Sequence, residues 1–203
     1  MSKPSDERLR EVFNLIEPLI ERRWGVPVSV TDVPNPFTGD LDGERILVEH
    51  DLEVEDAVFI IVHLFGHTVQ WNVSPEARAI AKHPGPWDAA HLAALRAYER
   101  EACQYSLTLF HDAGVHELDQ WLADFSACDY RYLEHVFTTG EKPPFRSFWR
   151  PDRSGNSAPL AIAIRSSPSR RPARASPLEP WPRGTWPLGP SPLGPWPLGP
   201  SPL

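Results

Sequence analysis

The chain reads as a helix-dominated α+β domain with a small antiparallel sheet, followed by a Pro-rich tail. Three observations predict this. Apolar residues recur at helical spacing over most of the first 150 residues, two short β-branched runs lie between the first two helical patterns, and proline density changes abruptly near residue 150. Of the 24 prolines in 203 residues, 14 lie in the last 53. The boundaries are therefore 1–150 for the folded unit and 151–203 for the tail.

Residues 5–24 predict an amphipathic helix, with Leu9, Val12, Phe13, Ile16, Leu19 and Ile20 on one face and Ser5 as its N-cap. Pro18 interrupts the pattern and predicts a kink or a split. Two strands come next, over 27–33 and 44–50, and the segment Pro34 to Asp40 between them has turn chemistry. From Val54 to Trp71 apolar residues go nearly all the way round a helix, which marks it as buried. A short helix is predicted over 75–82, then a long one from an Asp88 cap to about Ala113, then one or two over 117–139. Beyond Arg153 periodicity gives way to Pro-Leu-Gly-Pro units that begin alternately with Trp or Ser (Trp186, Ser191, Trp196). Such a segment predicts disorder or polyproline II and adds nothing to a core. Its strict five-residue unit resembles translation of tandem-repeat, GC-rich DNA in a frame not selected for folding. A docking strand for an aromatic-lined partner groove is the functional alternative.

Charge and composition exclude several classes. The net charge is −7, and the tail carries six Arg against Asp152 and Glu179, which leaves residues 1–150 at −11. Such a surface repels a phosphate backbone, so residues 1–150 are not expected to bind nucleic acid directly. No window approaches the length of a membrane span, and the N-terminus has no secretory signal, so a cytoplasmic location is expected by default. Cys103 and Cys128 read as buried reduced thiols.

The chemistry gathers in the buried helix, at His63-Leu64-Phe65-Gly66-His67. Histidines at i and i+4 share a helical face, where two imidazoles can converge on one metal ion, and Gln70 shares that face. The alternative is a pair of core histidines satisfied by hydrogen bonds. A third ligand is available on the long helix, because Glu99 falls in the middle of the apolar face made by Leu95, Ala102, Cys103, Ser106, Leu109 and Phe110. A carboxylate there must be bound to a metal, protonated, or paired with an arginine such as Arg96 or Arg100. Glu101 falls on the opposite side and reads as solvated.

These pieces resemble the zinc metallopeptidases of the H-E-x-x-H plus Glu type, and most closely the compact ImmA/IrrE-like group. The matching residues are Ile46-Leu47-Val48 ahead of the helix, His63 and His67 on it, and Glu99-Arg100-Glu101-Ala102 with Tyr105 beyond. The resemblance implies a zincin-like fold, zinc held by His63, His67 and Glu99, and a protein or peptide partner. It also implies a glutamate general base after the first histidine, where this chain has Leu64. Cys103 stands where the family tends to carry Asn or Asp.

Three functional expectations result. The first is a degenerate, metal-binding metallopeptidase-like module that serves as a binding or regulatory domain. The second is an active zinc hydrolase with a base drawn from His111, Tyr130 or Glu134. The third is a metal-free α+β interaction domain.

Overall fold

The computed structural model describes residues 3–34, 38–151 and 158–162. It is helix-dominated, with a three-stranded mixed sheet on one side. Helix α1 (Asp6–Leu19) opens on the expected cap, where the Ser5 hydroxyl accepts the Arg8 N–H at 3.2 Å. Its buried face is Leu9, Val12, Phe13 and Ile16. The α-helix runs past Pro18 by one residue, to Leu19, and then changes to a π-helix over Ile20–Trp24. The carbonyl that Pro18 leaves without a helical donor belongs to Asn14, on the exposed face, where water can serve it.

The sheet differs from the antiparallel pair expected. Strand β1 (Val28–Thr31) runs parallel to β3 (Ile46–Glu49), and an additional strand, β2 (Gly39–Leu41), pairs antiparallel on the other side of β3. Residues Gly39 and Asp40, read as turn, are thus strand. The tight turn lies further on, where the Asp42 carboxylate accepts the N–H groups of Glu44 and Arg45 at 2.8 and 2.9 Å. That turn places β2 next to β3 as a hairpin partner, so β1 joins the opposite edge of β3 in parallel.

Helix α2 (Val54–Val73) is the axis of the fold, and every residue from Val54 to Gln70 is buried. Although strongly apolar, neither it nor any other helix among the described residues is long and apolar enough to cross a membrane. Helix α3 (Pro75–Ala81) starts from a Ser74 cap, and α4 (Ala89–Asp112) from Asp88, whose carboxylate accepts the His91 N–H at 2.8 Å. Helix α5 (Asp119–Thr139) is continuous over the stretch read as one helix or two. Cys103 and Cys128 are buried and neither is in a disulfide, as expected. The Pro-rich repeats lie outside the described residues, but the segment after residue 150 is not wholly detached. Leu160 and Ile162 pack on the core, and the Thr108 hydroxyl on α4 donates to the Leu160 carbonyl at 2.6 Å. Leu160, Ala161 and Ile162 make that stretch a short apolar run.

Helices α2 and α4 cross in backbone contact. A Cβ built on Gly66 would lie 2.3 Å from the Ala102 carbonyl oxygen and 3.0 Å from its Cα. The Ser106 hydroxyl, one turn on, lies 2.7 Å from the Val62 carbonyl of α2 and 2.9 Å from the Ala102 carbonyl of its own helix. Small residues at 66, 102 and 106 therefore set the spacing. Gly66→Ala is expected to force the helices apart and to cost about 1–3 kcal/mol or more, measured as a fall in urea midpoint, despite alanine's better helix propensity. An unchanged or raised midpoint would contradict the contact.

The start of α2 holds two buried carboxylates met by an exposed arginine. Arg146 bonds Glu55 at 2.9 Å and Asp56 at 3.1 Å, and stacks on Phe125 and Trp149, each at 4.8 Å. Burial pushes the Asp56 carboxyl up to about 6, with Arg146 opposing and Glu55 adding to the rise. A folded value above the unfolded one of about 3.9 means that the native state holds the proton more tightly, so stability is lost as pH rises from about 4 through 6. Asp56→Asn cannot ionise. Its thermal stability relative to wild type is therefore expected to improve by about 2–3 kcal/mol between pH 4 and 7, and a pH-independent difference would refute the assignment.

Candidate metal centre

His63 and His67 face α4 from the two sides of Gly66, at the point where the helices are closest. Their rings are held by stacking: His63 on Phe59 with centroids 4.9 Å apart, and His67 on Tyr98 at 4.4 Å. The two Nε2 atoms lie 3.0 Å apart, and Glu99 Oε2 lies 3.5 Å from that of His63 and 3.3 Å from that of His67. Donor atoms held ~2.0–2.1 Å from a tetrahedral ion lie about 3.3–3.4 Å from one another. The three observed edges bracket that value. Histidine, histidine and glutamate are thus positioned to bind a metal ion.

The tautomer of His67 is set by its neighbours. The Gln70 amide nitrogen donates to the Tyr98 carbonyl at 2.8 Å and to the Glu101 carboxylate at 2.7 Å. Its oxygen therefore faces His67 Nδ1, at 2.8 Å, and can only accept. The proton sits on Nδ1, and the Nε2 lone pair points into the site, the second-sphere arrangement that prepares a histidine for a metal. Glu101, expected to be merely solvated, is half-buried and anchors this relay.

Electrostatics keep the imidazole of His63 neutral. Burial, with help from His67 and against Glu99, lowers it to about 3. Glu99 is also fully enclosed, but the two imidazoles at its oxygen more than offset the cost of burial and hold it below its ordinary value. It does not pair with Arg96 or Arg100. Arg96 instead reaches Glu134 and the Tyr130 hydroxyl, at 3.1 and 2.9 Å, and Arg100 is exposed. Those contacts place Tyr130 and Glu134 outside the cluster. His111 is bonded to Asp119 at 2.8 Å, twelve residues and about 18 Å along α4 from Glu99. None of the three groups considered as a base reaches the histidines.

One group at the site goes unread in the sequence. Asp129 on α5 is buried, with Oδ2 at 3.7 Å from His63 Nε2, and burial together with Glu99 pushes its carboxyl well above the ordinary range. Glu99 Oε2 and Asp129 Oδ2 are both buried without a hydrogen-bond partner among the described residues. The signal that could find it is the one that singles out Glu99: Asp129 falls on the apolar stripe of Leu122, Phe125, Tyr132, Leu133 and Val136. Leu64, by contrast, turns away from the cluster. It is buried under β2, where its Cδ1 would lie 3.0 Å from a Cβ at Gly39. A second group with ligand spacing, Asp32, Glu49 and His50, is largely exposed at the strand ends.

No family model, curated protein or solved structure matches the chain.

In metal-free protein, ¹⁵N NMR is expected to show His67 protonated at Nδ1 and bare at Nε2, and Gln70→Leu to abolish that preference. A wild-type His67 protonated at Nε2 would contradict the relay.

Proposed function

We propose that the chain is a degenerate zinc-metallopeptidase-like domain, similar to the ImmA/IrrE-like group, that binds metal through His63, His67 and Glu99 and acts as a binding or regulatory module. The observation that carries the reading is the trio of donor edges at 3.0, 3.3 and 3.5 Å, with an unpartnered carboxylate oxygen among them. Two imidazoles and a carboxylate suit zinc, whose sites favour nitrogen and oxygen donors in this geometry. A metal-free core leaves the buried Glu99 Oε2 without a hydrogen bond among the described residues, at a cost of about 1–3 kcal/mol.

The regulatory half of the reading rests on Leu64. Peptide hydrolysis needs a group to take a proton from water and deliver it to the departing amine, typically worth about 10²–10⁴ in rate. Leucine cannot do this, and His111, Tyr130 and Glu134 are committed elsewhere. A protein or peptide is the partner class that the family resemblance suggests.

Protein purified without a His tag is expected to carry about one zinc per chain by elemental analysis. His63→Ala and His67→Ala are expected to lose it, and Glu101→Ala to keep it. The unmodified protein should leave a peptide library intact. Metal-free preparations under zinc-replete conditions would remove the reading altogether. Turnover abolished by chelation and by His67→Ala would replace the regulatory module with an active hydrolase.

A further inference from the structure

We infer that the outer face of α4 at Gln104 and Thr108 is a docking site for extended Pro-Leu peptide. Pro159-Leu160-Ala161-Ile162 occupies it in this structure, and the Pro-Leu-Gly-Pro units of the tail share it. The inference does not depend on the metal-binding reading.

The contact is a main-chain clamp. Leu160 donates its N–H to the Gln104 carbonyl at 3.4 Å, and its own carbonyl accepts the Thr108 hydroxyl at 2.6 Å. A threonine inside a helix can return its proton to the carbonyl four residues back. Here that acceptor, the Gln104 carbonyl, lies farther away, at 3.2 Å, so the shorter bond runs outward to the docked segment. Side chains alternate as on a strand: Leu160 and Ile162 are half-buried against the core, and Pro159 and Ala161 are exposed. Main-chain bonds of this kind hold an extended peptide, and the alternate side chains select it.

The same pattern recurs later in the chain. Both main-chain contacts belong to the leucine, so proline can stand before it and two places after it without removing a donor that the clamp uses. One small residue separates the two inward positions. Pro187-Leu188-Gly189-Pro190, Pro192-Leu193-Gly194-Pro195 and Pro197-Leu198-Gly199-Pro200 each supply proline, leucine, a small residue and then an apolar one. Residues 163–186 lie between Ile162 and the first unit, a length of backbone that reaches up to about 80 Å, so every unit is within range of the site. Proline fixes φ in advance and lowers the entropy that a unit loses on docking. The tail units therefore exchange with the resident segment in the same chain.

The test uses the full chain and a fluorescent peptide of residues 186–195, followed by polarisation. Tethered occupants compete at millimolar effective concentration, so wild type is expected to bind the peptide weakly. Leu160→Ser with Ile162→Ser removes the resident segment. Adding Leu188→Ser, Leu193→Ser and Leu198→Ser is expected to raise peptide affinity by a further factor of about 10, and Thr108→Val in that background to abolish the gain. Circular dichroism checks that each variant folds. No gain from the tail substitutions would overturn the sharing of the site. No peptide binding to any variant, or no effect of Thr108→Val, would overturn the site itself. A concentration-dependent dimer that is lost with the tail leucines would overturn exchange within one chain and assign the units to a second copy. Wild type supplies an arm without substitutions: millimolar peptide is expected to shift the ¹⁵N amide resonances of Leu160, Gln104 and Thr108, and unshifted resonances would overturn the site.

Discussion

The contact between Gly66 and the Ala102 carbonyl governs what this molecule can build. Packed helices ordinarily keep their axes 8–10 Å apart because side chains stand between them. At this crossing glycine removes the side chain on one helix, alanine keeps it minimal on the other, and Ser106 ties the two backbones with a hydroxyl. His63 precedes Gly66 by three residues and His67 comes one after it, so both imidazoles flank the closest point. Glu99 lies almost one turn before Ala102. A glutamate reaches across only a few ångströms, and the donor edges of 3.3 and 3.5 Å exist because the backbones touch here.

The same crossing shows how buried polar groups differ. Near the start of α2, Glu55, Asp56, Arg146 and Trp121 satisfy one another, with Trp121 Nε1 donating to Glu55 at 3.0 Å. That is a structural network in which opposite charges are present and bonded. At the histidine cluster, half of the polar atoms are equally well served: Gln70, Glu101 and the Tyr98 carbonyl account for the outward side of His67. The inward side holds two imidazole nitrogens 3.0 Å apart and two carboxyl oxygens, of Glu99 and Asp129, with no hydrogen-bond partner among the described residues. Evolution of a core for stability alone would favour apolar residues of similar volume. An environment satisfied on its outer side and electron-rich on its inner side has the form of a cation site, and local conflict of this kind concentrates where a protein binds something.

The helices are legible in the sequence because burial tracks period. The face deduced for α4 is the buried one, Glu99 included, and the wholly apolar α2 is the central helix. The departures share a physical origin: they concern partners brought together from distant parts of the chain. β2 has only three residues and is strand because β3 is beside it. Glu101 lies on the outer side of α4's apolar face, yet Gln70 of α2 reaches it. Asp129 is hidden for a different reason, since it interrupts a hydrophobic stripe strong enough to account for its helix without it. Leu160 and Ile162 pack on the core, and the Pro-rich sequence around them gives no period by which to foresee it.

Leu64 links the packing to the chemistry on the proposed reading. Its side chain is 1% exposed and fills the space between α2 and the edge strand, against Gly39 and beside Ile60. Full burial of a leucine contributes about 1.5–3 kcal/mol, and the lack of a side chain at Gly39 lets β2 settle onto it. A glutamate at the same place would bring a carboxylate beneath a strand, and its desolvation would be costly unless the strand lifted to admit water. Sheet closure and a general base at position 64 thus exclude one another in this fold.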